Sequence, residues 1–142
     1  MAFEITRIDI WTTEIGDHPG ALAEKLEALM RVGAHLEFTI ARPSAEKPRT
    51  GVLFVAPLLE PEQTAAATAA GFRKSGGIHA LRIIGPDRPG LGAGMARTLG
   101  DAGINVSGMS AATIGERCVL YFRFGSDEDA KRAAQVLTPV LG

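Results

Sequence analysis

The sequence predicts an α+β chain built from two tandem copies of one small unit, each an antiparallel sheet with two helices on one face. Three observations predict it. A D-x-P-G core occurs twice, seventy residues apart, in IGDHPGALAE (15–24) and GPDRPGLGAG (85–94). Shifting the chain by that interval aligns Asp17 with Asp87, Pro19 with Pro89, Gly20 with Gly90, Ala23 with Ala93, Leu29 with Leu99 and Gly33 with Gly103, six identities in positions 17–36. With a further slip of three residues, VLFVAP (52–57) lies over VLYFRF (119–124). A period of this kind is the mark of a duplicated structural unit.

Each copy opens on a strand. EITRIDIWTT (4–13) and IHALRII (78–84) are rich in β-branched and aromatic residues. The Asp-Pro-Gly turn follows, and then a helix. In the first copy Leu22, Leu26 and Leu29 fall on one helical face, with Glu24, Lys25 and Glu27 free to meet water; in the second, Leu91, Met95, Leu99 and Ala102 form the stripe. Gly33 and Gly103 stand where a helix ends on a residue at positive φ. HLEFTIA (35–41) and INVSGMSAA (104–112) read as the next strands, paired with 51–57 and 118–124.

A second helix closes each copy. The first, 61–70, starts on Pro61, whose missing N–H costs nothing in a first turn. The second, 127–138, follows Ser126, with Asp129 three residues on, and is expected to stop at Pro139. The order β-α-β-β-α, with a short final strand possible after each second helix, is the split βαβ or ferredoxin-like arrangement. The domains are expected at 1–72 and 77–142, joined by the linker GFRKSGG (71–77). The loop RPSAEKPRT (42–50) reads as the least ordered segment.

Composition narrows the function. An apolar fraction of 46% supports a packed core, while 6% aromatics and a formal charge of −1 give no basic footprint for nucleic acid and no polybasic membrane motif. No apolar run reaches the roughly 18 residues of a spanning helix, and MAFEITRIDI lacks a signal peptide's order. A cytoplasmic protein is expected. Cys118 alone supports neither a disulfide framework nor a multi-cysteine zinc site. His18, His35 and His79 lack ligand spacing, so no metal and no cofactor is expected.

The glycine-rich run is not a phosphate cradle. Gly85 and Gly90 have Walker spacing, yet Leu91-Gly92 stands where Lys-Ser/Thr would reach phosphate and magnesium. Gly90-x-Gly92 is followed by Met95 in place of the third dinucleotide-binding glycine. What remains is a tight turn feeding a helix N-terminus, where backbone N–H groups favour a compact anion. Gly90, Leu91 and Gly92 leave room for a carboxylate, Asp87 offers a partner for an ammonium, and Asn105 supplies a donor and an acceptor. That is the inventory for an α-amino acid. The alternative is that Asp17 and Asp87 cap their helices while Pro and Gly shape the turn.

DHPGALAEKLEALMRVGAHLEF (17–38) and DRPGLGAGMARTLGDAGINVSG (87–108) resemble the ACT domain family, over nearly the whole chain as two copies. The second fits better, with GPDRPGL and GINV; the first has His35 where Asn is usual. The resemblance implies two βαββαβ domains whose sheets pair edge to edge, and an amino acid bound at the seam between paired domains. It assigns ligand contacts to Asp87, Arg88, Pro89, Gly90, Leu91 and Asn105, and in the first copy to Asp17, His18, Gly20, Ala21 and His35. It further implies a non-catalytic regulatory protein, similar to free-standing tandem proteins of the glycine-cleavage repressor type, acting as a homodimer on a protein partner.

Other classes have weaker footing. Arg88 and Asn105 occupy places loosely comparable to the catalytic pair of acylphosphatases, but that family's Gly-x-Val-Gln-Gly-Val-x-Phe-Arg loop is absent. RCVLYFRFG (117–125) could suggest an RNA-binding strand, yet alternation puts Cys118, Leu120, Phe122 and Phe124 on one face, as in a helix-covered core. A scaffold that pairs sheets and binds no ligand is the remaining alternative.

Overall fold

The computed structural model describes residues 3–141. In chain order its elements are β1 (Glu4–Ile8), β2 (Trp11–Gly16), α1 (Ala21–Met30), β3 (Phe38–Pro43), β4 (Thr50–Ala56), α2 (Pro61–Ala69), β5 (Arg73–Lys74), β6 (His79–Pro86), α3 (Leu91–Asp101), β7 (Val106–Ile114), β8 (Arg117–Phe124) and α4 (Asp127–Leu141). They form two four-stranded antiparallel sheets, ordered β3-β4-β2-β5 and β1-β6-β8-β7.

The chain divides into two compact units, one spanning Asp9–Ser75 and the other joining Gly76 onward to the N-terminal segment up to Ile8. This differs from the expected division at 1–72 and 77–142. EITRIDIWTT is not one strand: Glu4–Ile8 pairs with β6, whereas Trp11–Gly16 pairs with β4 and β5. Its β-branched and aromatic residues run on with no turn signal between them, and only the long-range partners separate the halves. The linker segment also carries structure, since Arg73 and Lys74 form β5. In the second unit no strand follows α4 among the described residues; β1 takes the fourth-strand position instead.

The duplication is visible in the registers. Trp11 faces Val55 and Leu81 faces Phe122; Ile15 faces Gly51 and Gly85 faces Cys118. Both pairs obey the same offsets. Even the fourth strands match, with Lys74 opposite Trp11 and Arg7 opposite Leu81.

The core of the second unit lies between sheet and helices. Leu81, Ile83, Leu91, Met95, Leu99, Cys118, Leu120, Phe122, Phe124, Ala130, Ala133, Leu137 and Leu141 are buried together. The alternation of β8 is thus realised, and the Phe122 and Phe124 rings stack at 6.4 Å. Burying each such side chain stabilises the fold by about 1.5–3 kcal/mol. Leu141 also explains why α4 runs past Pro139, where a stop is expected. Proline removes one late backbone hydrogen bond, while continuing the helix seats Leu141 in the core.

The smaller core of the first unit gathers Leu29, Leu53, Val55, Leu58, Ala67 and Phe72, with Trp11 and Leu26 packed against it. Here the helical stripe is rotated from expectation. Ala21 and Leu29 are the buried residues of α1, while Leu22 is 38% exposed. Helix α2 starts on Pro61 behind a Glu60–Gln63 capping box. The Lys25 ammonium donates to the Ala70 carbonyl at its other end. The Ser126 hydroxyl accepts from the Asp129 N–H at 3.1 Å, opening α4. Gly33 and Gly103 sit at φ 72° and 75°. Beside them Ala34 and Ile104 donate back to Leu29 and Leu99, closing α1 and α3.

Candidate functional site

The two D-x-P-G turns are built alike, each at the end of the first strand of its copy. The Asp17 N–H donates to the Arg49 carbonyl at 3.0 Å, and the Asp87 N–H donates to the Glu116 carbonyl at 2.8 Å. Each turn is thereby tied to the hairpin between the next two strands. Gly20 and Gly90 then take left-handed conformations, φ 87° and 81°, as the residues preceding α1 and α3. A Cβ residue would be strained there. Ala21 and Leu91 donate to the His18 and Arg88 carbonyls and are buried. Neither helix has a side-chain cap. The capping role open to Asp17 and Asp87 is therefore not taken; both carboxylates are exposed. The amides of Leu22, Ala23, Gly92 and Ala93 lie beyond the reach of their helical ladders.

In the first copy the turn borders a cavity of about 220 Å³ lined by Ile15, Gly16, Asp17, His18, Leu22, Ala41, Arg42, Pro43 and Gly51. The His18 ring folds over Gly16, where an added Cβ would come within 2.6 Å of it. Its Nδ1 donates to the Pro19 carbonyl at 3.1 Å, which leaves Nε2 an acceptor in the neutral ring. The Arg42 guanidinium lies 5.4 Å from the Phe54 ring centroid, a cation–π contact that holds it on one side of the sheet.

In the second copy the run GPDRPGLGAG resolves into separate tasks. Gly85 makes room for Phe3, the Arg88 guanidinium lies 5.7 Å from that same ring, and Gly92 lies beneath Met109 and Leu120. Pro89 leads into Gly90 at the exposed turn. Burial pushes the Cys118 thiol above its ordinary value, and the nearby Asp87 charge adds to the effect. A depression at this end of the sheet is lined by Ile84, Ala112, Ile114, Arg117, Cys118 and Val119.

Within one unit the turn and the start of the following strand do not meet. Asp87 stands beside Glu116, at the end where Pro86, Arg117 and Ile114 align; Asn105 precedes Val106, which faces Phe124 at the other end. The nine residues of β7 separate them, roughly 26 Å at about 3.3 Å per residue. The same holds for His35, which precedes β3, against Asp17 at the far end of that strand. The arrangement also parts Arg88 from Asn105, so the acylphosphatase-like pair does not assemble within a unit.

Sequence reasoning missed Leu22, Arg42, Pro43 and Gly51 as cavity residues. A signal existed. Carried past position 36, the repeat puts Arg42 over Ala112 and Gly51 over Cys118, a cation and a vacancy in one copy only.

Two ferredoxin-like units with matched turns at their strand-to-helix junctions define the class: a tandem α+β architecture. Residues 79–140 match the model of the ACT domain, and the unit before them in sequence has the same ferredoxin-like strand order. The structure resembles the Bacteroides thetaiotaomicron protein BT0572, with a TM-score of 0.76 and 15% identity over 92% of this chain and 88% of that one. It also resembles the regulatory subunit of aspartate kinase from Thermus thermophilus, in its ligand-free form, with a TM-score of 0.66 and 18% identity over 100% and 98% of the two chains. The corresponding subunit from Thermus flavus follows at 0.56 and 19%, over 96% and 97%. At such identities the likeness establishes a shared fold. No curated protein matches the chain in sequence. Among the described residues, no helix is long and apolar enough to cross a membrane.

Proposed function

We propose that this chain is a non-catalytic regulatory protein that binds an amino acid at its D-x-P-G turns and passes occupancy to a partner protein in the cytoplasm. The observation that carries the reading is the pair of turns: identical in backbone construction, tied to the neighbouring hairpin, with aspartates exposed and released from capping. Such a turn presents amides to a carboxylate and a carboxylate to an ammonium. Two structures that share the fold are regulatory subunits of aspartate kinase, which supports a regulatory role here.

The chain acts as a homodimer in this reading. A ligand touching both Asp87 and Asn105 needs the asparagine from a second chain, because one unit holds them a strand's length apart. β7 ends its sheet and carries no charged side chain (VSGMSAATI), which suits it to pairing with another strand. Occupancy of a shared site would then shift the dimer equilibrium.

The test is a thermal-shift screen against the twenty amino acids, repeated with Asp17→Ala, Asp87→Ala and Asn105→Ala. A ligand at one hundred times its Kd adds about 2.7 kcal/mol, or several degrees. A shift from one or a few amino acids, weakened by these substitutions and accompanied by a change in sedimentation, supports the reading. Silence across the whole set defeats it.

A further inference from the structure

We propose that the groove between β1 and α4 binds an aliphatic monocarboxylate, with its chain along Ile5 and Ala134 and its carboxylate on Lys131 and Arg7. The site is separate from the D-x-P-G turns. Arg7 stands beside Ala80 and Leu81 at the start of β6, whereas the turn follows the other end of that strand at Pro86. The inference therefore holds whether or not the turns bind an amino acid. The groove has a volume of about 470 Å³, within the roughly 300–1,000 Å³ of small-molecule sites.

Its apolar surface comes from two elements. Ile5 faces Ile83 and Arg7 faces Leu81, and both side chains stand on the helix side of the sheet. On α4, Ala130 and Ala134 lie one turn apart. Leu81 and Ala130 are buried and close the floor, while Ile5 and Ala134 are half-buried walls.

The rim carries the charge. Arg7 donates from Nη1 to the Ala80 carbonyl at 3.1 Å and from Nη2 to Asp127 at 2.8 Å, which fixes its guanidinium at the groove. The Lys131 ammonium reaches the other Asp127 oxygen at 3.1 Å and has further N–H groups to donate. Gln135, one turn on, adds an amide. Two cations thus share one carboxylate, and the rim keeps a surplus of one positive charge. The other acids nearby do not cancel it. Glu4 alternates onto the opposite face of the sheet, and Asp129 pairs with Arg132. A monocarboxylate matches the surplus, and an ammonium in its place would be repelled by Arg7 and Lys131.

The first copy shows that the fold does not require this rim. Pro61 and Asp127 each open their helix, and the buried Ala67 and Ala133 occupy the same place in the two. In that alignment Lys131 stands over Ala65 and Gln135 over Ala69. The five residues of β1 are matched by only two in β5. Lys74, the counterpart of Arg7, pairs with Asp9 in the chain before β2. The charged groove belongs to the second unit alone.

The test titrates the full chain with butanoate, hexanoate and octanoate, following backbone amide shifts by NMR. Hexylamine and 2-aminohexanoate, which keep the chain and change the charge, are the controls. The variants are Lys131→Gln, Ala134→Leu and Asp127→Asn. Lys131 and Asp127 are exposed, so their variants should fold, and circular dichroism checks all three. Saturable shifts are expected on β1 and α4, with affinity rising about three- to fourfold per methylene until the groove is full. Both controls should bind at least ~tenfold more weakly than hexanoate. Lys131→Gln should weaken hexanoate about tenfold, and Ala134→Leu should abolish its binding by filling the groove. Asp127→Asn should tighten it, because the competing carboxylate is gone. The inference is overturned if hexanoate gives no saturable shift at ~10 mM, tenfold above a millimolar Kd. It is equally overturned if hexylamine binds as well, if Asp127→Asn loosens binding, or if Lys131→Gln and Ala134→Leu leave it unchanged. Shifts confined to the D-x-P-G turns would overturn it too, and none of these results bears against the sensor reading.

Discussion

The ring of Phe3 occupies the space in which a side chain at position 85 would begin. Gly85 is therefore a glycine for the sake of a residue eighty-two positions earlier, and the Arg88 guanidinium lies 5.7 Å from the same ring.

Replacing Gly85 by Ala should cost about 1–3 kcal/mol, because the ring or the backbone must move. Phe3→Ala alone should destabilise by a comparable amount through lost packing. The double variant should cost clearly less than the two single costs added, by more than ~0.5 kcal/mol, since the methyl group introduced at position 85 then has the vacated space. Urea denaturation of the four proteins measures this, and simple additivity would show that the two residues do not share that space.

Leu22 and Leu99 look alike on their helical stripes, yet they differ in the fold. Leu99→Ala empties a fully buried site and should cost about 2–5 kcal/mol. Leu22→Ala acts on a half-exposed side chain at the cavity and should cost less than about 1 kcal/mol. Equal losses in thermal denaturation would contradict the rotated stripe of α1.

Cys118 should be slow to alkylate. Its thiol is raised by burial and by the charge of Asp87, so thiolate is scarce at neutral pH and access requires local opening. Iodoacetamide should react at least ~100-fold more slowly with the folded chain than with chain unfolded in guanidinium. Asp87→Asn removes one of the two causes and should lower the thiol's titration midpoint; a midpoint that rises instead would contradict the assignment.

Asp127 links the second unit to acid sensitivity. The Arg7 hydrogen bond, at 2.8 Å, and then that of Lys131 hold its carboxyl below the ordinary value of 3.8. The unfolded chain then takes up a proton here at higher pH than the folded chain. This contribution to stability is complete above pH 3.8 and drains away as pH falls through the folded value. Asp127→Asn should lower the urea midpoint at pH ~7, and the gap to wild type should close as the pH falls progressively below 3.8. Because the pair is exposed, added salt should narrow the gap as well. A gap that widens in acid would reverse the assignment.

Local chemistry made much of this legible in sequence. The turns, the helix-ending glycines 33 and 103, the proline at the start of α2 and the alternation of β8 each follow from a preference that acts within a few residues. What escaped depends on distant partners. Nothing in ITRIDIW marks Ile8 and Trp11 for different sheets, since only their pairing with residues near 80 and 55 divides them. Pro139 inside α4 follows from the seat of Leu141, and the cavity from Gly51 across the sheet from Ile15. In each case tertiary packing overrules a sound local rule. The site residues divide the same way: the turn positions come from motif, while Gly51 required the register of paired strands.

The placement of β1 also orders events in time. A ribosome releases residues 4–8 long before residues 79–124, with which they share a sheet. The 9–75 unit has every strand and helix it needs once residue 75 has emerged, and can fold as it appears. The other unit must hold its first-made strand in reserve until the last-made segments arrive, closing a contact across more than seventy residues. During that interval β1, in which Ile5 and Ile8 stand among Glu4, Thr6 and Arg7, is unpaired, and the edge of β6 awaits it. The 9–75 unit can therefore form before β1 finds its place beside β6.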